Sequence, residues 1–147
     1  MKRVIARATL VVAFVAVFAL GIVSRAQAQE CSNATLQGSF GYTSTGTLLP
    51  VYAQHFAGPF AEVGRQTFDG SGNTSATATL SANGNILKVT IQGTYAVNSD
   101  CSGSMTLNVS PLGVTVHADF VIVSSGIEFR AIGTDSGVVE SRVYKKQ

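Results

Sequence analysis

The sequence is poor in several residue types, and each shortage excludes a class of protein. It has no tryptophan, two cysteines and two histidines, and only 12% of its 147 residues are charged while 46% are hydrophobic. This balance excludes an intrinsically disordered chain. The zinc motif His-Glu-x-x-His, the Gly-x-Ser-x-Gly elbow, the phosphate loop and the dinucleotide fingerprint are also missing. We therefore expect no metal and no cofactor.

The first 28 residues have the pattern of an export signal. Residues 1–8 are cationic, residues 9–23 are almost entirely apolar, and Ala26-Gln27-Ala28 is a site that signal peptidase accepts. The alternative is a membrane anchor, but the apolar run of 15 residues is shorter than the roughly 20 that a spanning helix needs. We expect cleavage after Ala28, a secreted or periplasmic product with no membrane span, and a single domain over residues 29–147.

Loss of the signal changes the charge of the chain. The whole sequence has a formal charge of +2, whereas residues 29–147 contain six Lys or Arg against eight Asp or Glu, which gives −2. Binding to a nucleic-acid backbone requires a basic surface, and none remains. We expect no nucleic-acid partner, and we expect a monomer.

The two cysteines, Cys31 and Cys101, both belong to the exported part. In an oxidising compartment an isolated pair of cysteines usually forms a disulfide. A catalytic cysteine is the alternative, but the sequence places no histidine near either thiol. We therefore predict a Cys31–Cys101 bridge.

After Cys31 the chain has no long pattern of helical period, and short alternating runs closed by turn residues repeat instead. Asn83-Gly84 is the strongest of the hairpin signals. The pattern predicts an all-β domain of eight strands, over residues 35–45, 60–68, 74–81, 86–97, 103–110, 114–123, 127–132 and 138–144.

Short connections between these strands favour sequential antiparallel pairing. Eight such strands bury their apolar faces either in an up-and-down barrel or in a β-sandwich, and we favour the barrel because closure removes exposed sheet edges. The residues predicted to line its interior and contact a ligand are Phe40, Tyr42, Tyr52, Phe56, Leu87, Ile91, Tyr95, Leu107, Phe120 and Phe129.

The charged residues of the last hairpin are expected on the outer surface. A single antiparallel register would place Glu128 beside Arg142 and Arg130 beside Glu140, although the turn residues favour a register shifted by two. Glycosidase chemistry needs two facing carboxylates. The sequence alone pairs none of the candidates, which are Glu62, Asp69, Asp119, Glu128 and Glu140.

The longest irregular stretch, residues 46–59, is apolar for a surface loop. Long loops in compact domains are often functional, so this one is either a lid over an open barrel end or a plug that fills it. His55 lies on this stretch and is expected to be exposed or at the edge of the core. His117 and Asp119 share one face of the sixth strand, and that face is the one predicted to contact solvent.

Three segments together resemble a family of small secreted bacterial proteins: CSNATLQGSFGY at residues 31–42, GPFAEVGRQTFDGSGN at 58–73 and GTYAVNSDCSGSMTL at 93–107. The resemblance implies one β-barrel similar in shape to lipocalins and to allene oxide cyclase-like barrels, and it implies no particular activity. Lipocalins carry Gly-x-Trp in their first strand, whereas this chain has Gly38-Ser39-Phe40.

Three functions fit these expectations. The first is a barrel that binds a small hydrophobic molecule inside, beneath the loop at residues 46–59. The second is a barrel enzyme of isomerase or cyclase type, and the third is a structural or surface-interaction protein with a filled core. A cavity distinguishes the first two from the third, and a buried ionisable group with a shifted pKa distinguishes the second from the first.

Overall fold

The computed structural model describes residues 30–147, and these residues form a closed antiparallel barrel in which each strand pairs with the next and β8 pairs with β1. The predicted up-and-down barrel is therefore confirmed, and the sandwich is not formed. The predicted export signal lies outside the described residues. The strands are β1 (Gly38–Leu48), β2 (Gly58–Phe68), β3 (Asn73–Ala82), β4 (Asn85–Val97), β5 (Ser102–Ser110), β6 (Val114–Val123), β7 (Glu128–Gly133) and β8 (Val138–Lys146).

The first strand differs most from its predicted bounds. It begins at Gly38 rather than at residue 35, because Asn33–Leu36 form a 3₁₀ turn. It also continues to Leu48, which pairs with Gly58 of β2. The irregular stretch predicted over residues 46–59 is consequently shortened to residues 49–57, which we call the upper loop.

One end of the barrel is closed by the N-terminal segment, and we call it the lower end. The turns at residues 69–72, 98–101 and 124–127 lie there. The segment is joined to the second of these turns by the predicted disulfide between Cys31 and Cys101, whose Cα atoms are 5.0 Å apart. Leu36 inserts its fully buried side chain into the core. This end is therefore plugged by the chain itself.

The lower half of the interior is filled by aromatic rings. Each of these rings belongs to a residue that is at most 5% exposed, and neighbouring ring centroids lie 5.0 to 5.5 Å apart in mainly edge-to-face geometry. Such packing leaves no space for another molecule among the rings. They are Phe40, Phe68, Tyr95, Phe120 and Phe129.

The opposite, upper end carries the upper loop and the turns at residues 83–84, 111–113 and 134–137. The upper loop is fastened to the last of these turns, since the backbone N–H of Leu49 donates to the carbonyl of Gly137 at 2.8 Å. It also carries its own tight turn, in which the N–H of Tyr52 donates to the carbonyl of Leu49 at 2.9 Å. The loop is thus an ordered part of the upper end.

The register of the last hairpin corrects one prediction. Glu128 lies opposite Lys145 rather than Arg142, and Phe129 lies opposite Tyr144. The difference from the predicted registers is an odd number of residues, and an odd shift sends every side chain of a strand to the other face. Glu140 and Arg142 therefore point into the barrel, where they are 8% and 5% exposed.

Candidate functional site

The upper half of the barrel contains two adjoining cavities. The inner cavity has a volume of about 80 Å³ and lies among the upper parts of the strands. The outer cavity, of about 210 Å³, lies beneath the upper loop. The two share five lining residues, so they form one continuous space that the upper loop partly covers: Leu48, Tyr52, Leu80, Leu112 and Val114.

The walls of the inner cavity are mostly apolar, but one side of it is ionic. The apolar wall comes from seven strands and the turn before β6. The ionic side comes from β2, β8 and the turn before β8. The lining residues with ionisable side chains are Tyr52, Glu62, Asp135, Glu140 and Arg142.

Glu140 and Arg142 form a buried ion pair on β8. The Nε of Arg142 donates to Oε1 of Glu140 at 2.6 Å, and both side chains are 5% exposed. The hydroxyl of Ser44, which is 1% exposed, donates to the same carboxylate oxygen at 2.6 Å. Both charge-assisted contacts thus stabilise the buried Glu140 carboxylate through Oε1.

A line of hydrogen bonds continues from Arg142 toward the filled half of the barrel. Nη1 of Arg142 donates to the hydroxyl of Tyr144 at 3.4 Å, and this hydroxyl donates to the side-chain carbonyl of Gln66 at 3.0 Å. The amide of Gln66 then donates to Thr74 at 2.9 Å. The buried polar groups thus satisfy one another and fix the rotamer of Arg142.

Glu62 stands apart from this network. The hydroxyl of Tyr42 donates to it. Within residues 30–147 no nitrogen of a Lys, Arg or His side chain lies within 4.0 Å of its carboxylate. Burial raises the pKa of Glu62, and the nearby positive charge of Arg142 opposes that rise in part. The carboxyl group of Glu62 therefore lines the inner cavity without a cationic partner.

Tyr52 brings a second polar group of interest to the site. Its Oη is the buried side-chain polar atom that lacks a hydrogen-bond partner in the described part of the chain. Burial, together with the negative charges of Asp135 and Glu140, raises the pKa of this hydroxyl. A buried polar atom without a partner is uncommon and requires an explanation.

The local sequence of β2 explains how Glu62 reaches the interior. Phe60, Glu62 and Phe68 are separated by even numbers of residues, so a strand must place them on one face. Gly64 completes this face, and a Cβ there would lie 2.7 Å from the ring of Tyr42 and from a backbone oxygen. The glycine thus allows the Tyr42 ring to pack beside Glu62. This parity was available in the sequence and predicts an inward Glu62, although sequence reasoning did not use it.

The predicted interior residues occupy two separate regions. Tyr52 and Ile91 line the inner cavity, and Phe56 lines the outer one. Leu87 is partly buried and packs against the core. The remainder pack within the core itself, and whether a ligand contacts any of the ten stays a prediction: Phe40, Tyr42, Tyr95, Leu107, Phe120 and Phe129.

The two histidines lie at the surface. His55 is exposed on the upper loop. The side chain of His117 is 51% exposed, and its Nδ1 lies 2.7 Å from Oδ1 of Asp135. Its backbone N–H also donates to Oδ2 of Asp135 at 2.7 Å. His117 is thus paired with Asp135 and not with Asp119, the neighbour considered from the sequence.

Comparison with known proteins supports the fold. No protein-family model and no curated protein matches the chain. A solved structure of a redesigned β-barrel is similar, with a TM-score of 0.56 and 15% sequence identity over 78% of this chain and 94% of that one. A likeness at this level of identity concerns the fold alone. The comparisons thus show a β-barrel fold, while membership of a family of small secreted bacterial proteins and the likeness to lipocalins or allene oxide cyclase-like barrels stay predictions.

Two further searches concern residues 30–147 only. No helix there is long and apolar enough to cross a membrane. No group of three or more His, Cys, Asp or Glu side chains there is arranged to hold a metal ion.

Proposed function

We propose that this protein is an exported barrel that binds a small, largely apolar molecule in the cavities of its upper half. The observation that carries the proposal is the division of the interior, since the lower half is filled by rings while the upper half is open. Ligand sites are typically concave, mostly apolar, and supplied with a few polar groups that orient the ligand. The inner cavity has this composition.

The size of the cavities limits the ligand. The volumes of about 80 and 210 Å³ are each below the roughly 300 to 1,000 Å³ usual for ligand pockets. The ligand is therefore small, or the upper loop moves aside to admit a longer one. Export into an oxidising compartment is supported by the Cys31–Cys101 bridge. One chain encloses both cavities, so we propose that a monomer binds the ligand.

A blocking substitution tests the proposal. Val116 of β6 lines the inner cavity, whereas Val121 of the same strand is 48% exposed on the outer surface. We expect Val116→Phe to fill the inner cavity and to weaken binding of an uncharged apolar fluorescent dye at least tenfold, measured by titration. Val121→Phe adds the same ring outside and is expected to bind like the wild type. Equal affinity of all three proteins would contradict a site inside the barrel.

The natural ligand is sought by native mass spectrometry of the protein purified from its own host. A small molecule that co-purifies with the wild type and not with the Val116→Phe variant would be identified as the ligand. Absence of any such molecule, together with no binding of apolar dyes, would count against the proposed function.

A second candidate function is an enzyme of isomerase or cyclase type that uses the same cavity. The specific observation in its favour is Glu62, a carboxyl group with a raised pKa that accepts a hydrogen bond from Tyr42. Such a group can transfer a proton to or from a bound molecule. Incubation of the co-purified molecule with fresh protein separates the two functions, because a binding protein returns it unchanged.

A further inference from the structure

The charges around the inner cavity are unequally paired. Glu140 is satisfied by Arg142 and Ser44, and Asp135 is held by His117. Glu62 receives one hydrogen bond, from Tyr42. Among residues 30–147 it is therefore the carboxyl group of this cavity that has neither a salt bridge nor a second side-chain donor.

An ionised carboxylate in such a place is costly, because burial removes water that would otherwise stabilise its charge. A positively charged group of a ligand would replace that lost stabilisation. Tyr52 is a lining residue of the same cavity. Its buried Oη has no hydrogen-bond partner among residues 30–147, so this oxygen is free to accept a hydrogen bond from a ligand group that reaches it. The polar side of the inner cavity thus offers acceptors that the protein leaves unused.

An anionic head group fits less well. Two guanidinium nitrogens of Arg142 already donate, one to Glu140 and the other to Tyr144. An anion near Arg142 would also lie in the field of Glu62 and Glu140, and both carboxylates would repel it. Nε and Nη1 of the guanidinium therefore already belong to the interior network.

We propose that the ligand is a small apolar amine, whose ammonium group binds at Glu62 while its hydrocarbon part lies against the apolar wall of the inner cavity. This inference rests on the proposed function and specifies the chemical class of the ligand. Leu80, Ile91 and Val109 belong to the wall that the hydrocarbon part would contact.

Three six-carbon probes that differ in their head group test the inference: hexylamine, 1-hexanol and hexanoate. Their affinities for the purified protein at pH 7.5 are measured by calorimetry and by amide chemical shifts. We expect hexylamine to bind at least ten times more tightly than 1-hexanol and hexanoate to bind most weakly. The amides that shift are expected to be those lining the two cavities.

A matched pair of variants locates the preference. Glu62→Gln removes the charge from the cavity, and Glu128→Gln removes the same charge from the outer face, where Glu128 pairs with Arg130. We expect Glu62→Gln to bind hexylamine at least tenfold more weakly and 1-hexanol unchanged within about twofold. Glu128→Gln is expected to keep the wild-type preference. If Glu62→Gln does not fold, the comparison of probes on the wild type still decides the inference.

A pH series on the wild type provides an independent measurement. The groups that face Glu62 are Tyr42 on β1 and Glu140, Arg142 and Tyr144 on β8. Protonation of Glu62 as the pH falls removes the charge that holds the ammonium group. We expect the affinity for hexylamine to fall between pH 7.5 and 5, and the affinity for 1-hexanol to stay constant.

The outcomes separate the two proposals. Tight binding of hexylamine that depends on Glu62 supports both. Equal or tighter binding of 1-hexanol or hexanoate would overturn the amine as ligand and leave the binding function in place. Failure of all three probes to bind while the apolar dye binds would overturn the amine alone. Failure of the probes and of the dye would overturn the binding function, and the amine with it.

Discussion

Burying Arg142 and Glu140 inside the barrel makes each side chain depend on the other. Removal of two charges from water costs several kcal/mol per ion, and their mutual attraction compensates only when the geometry is good. The 2.6 Å contact between them and the hydrogen bond from Ser44 provide that geometry. The pair also holds Arg142 in the wall of the inner cavity.

Removal of one member of this ion pair should therefore lower the free energy of unfolding strongly. We expect Arg142→Met to lower the free energy of unfolding by about 3 to 5 kcal/mol, because Glu140 is left buried without a cation. The double variant with Glu140→Gln is expected to recover much of that loss. Urea unfolding at pH 7 measures both. Arg130→Met, on the outer face, is the control and should cost no more than about 1 kcal/mol.

A loss below about 1 kcal/mol in Arg142→Met would show that water or another group compensates Glu140.

The two-residue alternation along β8 explains why the sequence alone predicted this pair on the outer surface. Val139 and Val143 form one series, and Val138 and Tyr144 form the other, so both faces look equally apolar. Only the register with β7 decides between them, and it is not readable from either strand alone.

Among the secondary structure elements, hydrogen bonds within the turns determine where the strands end. In the turn between β2 and β3, Oδ1 of Asp69 accepts the backbone N–H groups of Ser71, Gly72 and Asn73 at 2.7, 3.0 and 2.9 Å. The side-chain amide of Asn73 also donates to Oδ2 of Asp69, at 2.7 Å. This hydrogen bond, followed by those from Asn73 and Ser71 of the turn, lowers the pKa of the Asp69 carboxyl group. A turn of this kind was predicted from the same residues, since aspartate and glycine favour such conformations.

The lowered pKa gives a pH-dependent prediction. Because the folded state favours ionised Asp69, its contribution to stability is present above the ordinary aspartate pKa near 4 and is lost as the pH falls below it. Asp69→Asn should lower the melting temperature at pH 6, and its difference from the wild type should shrink toward pH 3. Asp119→Asn, on the exposed outer face of β6, is the control. A constant difference across this range would contradict the role of the charge.

The elements were predicted best where alternation and turn signals agree. The bounds of β6 match the predicted range, because apolar residues alternate there and the turns on both sides are well marked. The start of β1 was wrong because Leu36 continues the alternation of Phe40 and Tyr42 even though its segment is a 3₁₀ turn. The 3₁₀ turn is formed through contacts with distant turns, which local patterns do not record.

The whole molecule is held together across its lower end by the disulfide. Cys31 and Cys101 are separated by 70 residues, so the bridge restricts the conformational freedom of a large part of the unfolded chain. The entropy model assigns about 4 kcal/mol to a loop of this length. For a single domain this is a large fraction of the total stability.

Removal of the bridge tests this estimate. We expect Cys31→Ser with Cys101→Ser to lower the free energy of unfolding by about 4 kcal/mol in urea, and reduction of the wild type to give the same loss. Hydrogen exchange should increase first in residues 31–37 and the adjoining turns. Dye binding in the upper cavities should persist while the variant is folded, and a loss below about 1 kcal/mol would contradict the estimate.

In residues 30–147 the barrel is closed at its lower end by Leu36 and by aromatic rings that pack edge to face, so its interior opens at the upper end. A ligand bound in the upper cavities, as proposed, would enter and leave past residues 49–57. Leu49 and Val51 are exposed and do not line either cavity, whereas Tyr52 and Phe56 do. Substitutions of Leu49 or Val51 that change only the barrier to passage would alter the association and dissociation rates by the same factor, so residence time would change while the dissociation constant would not.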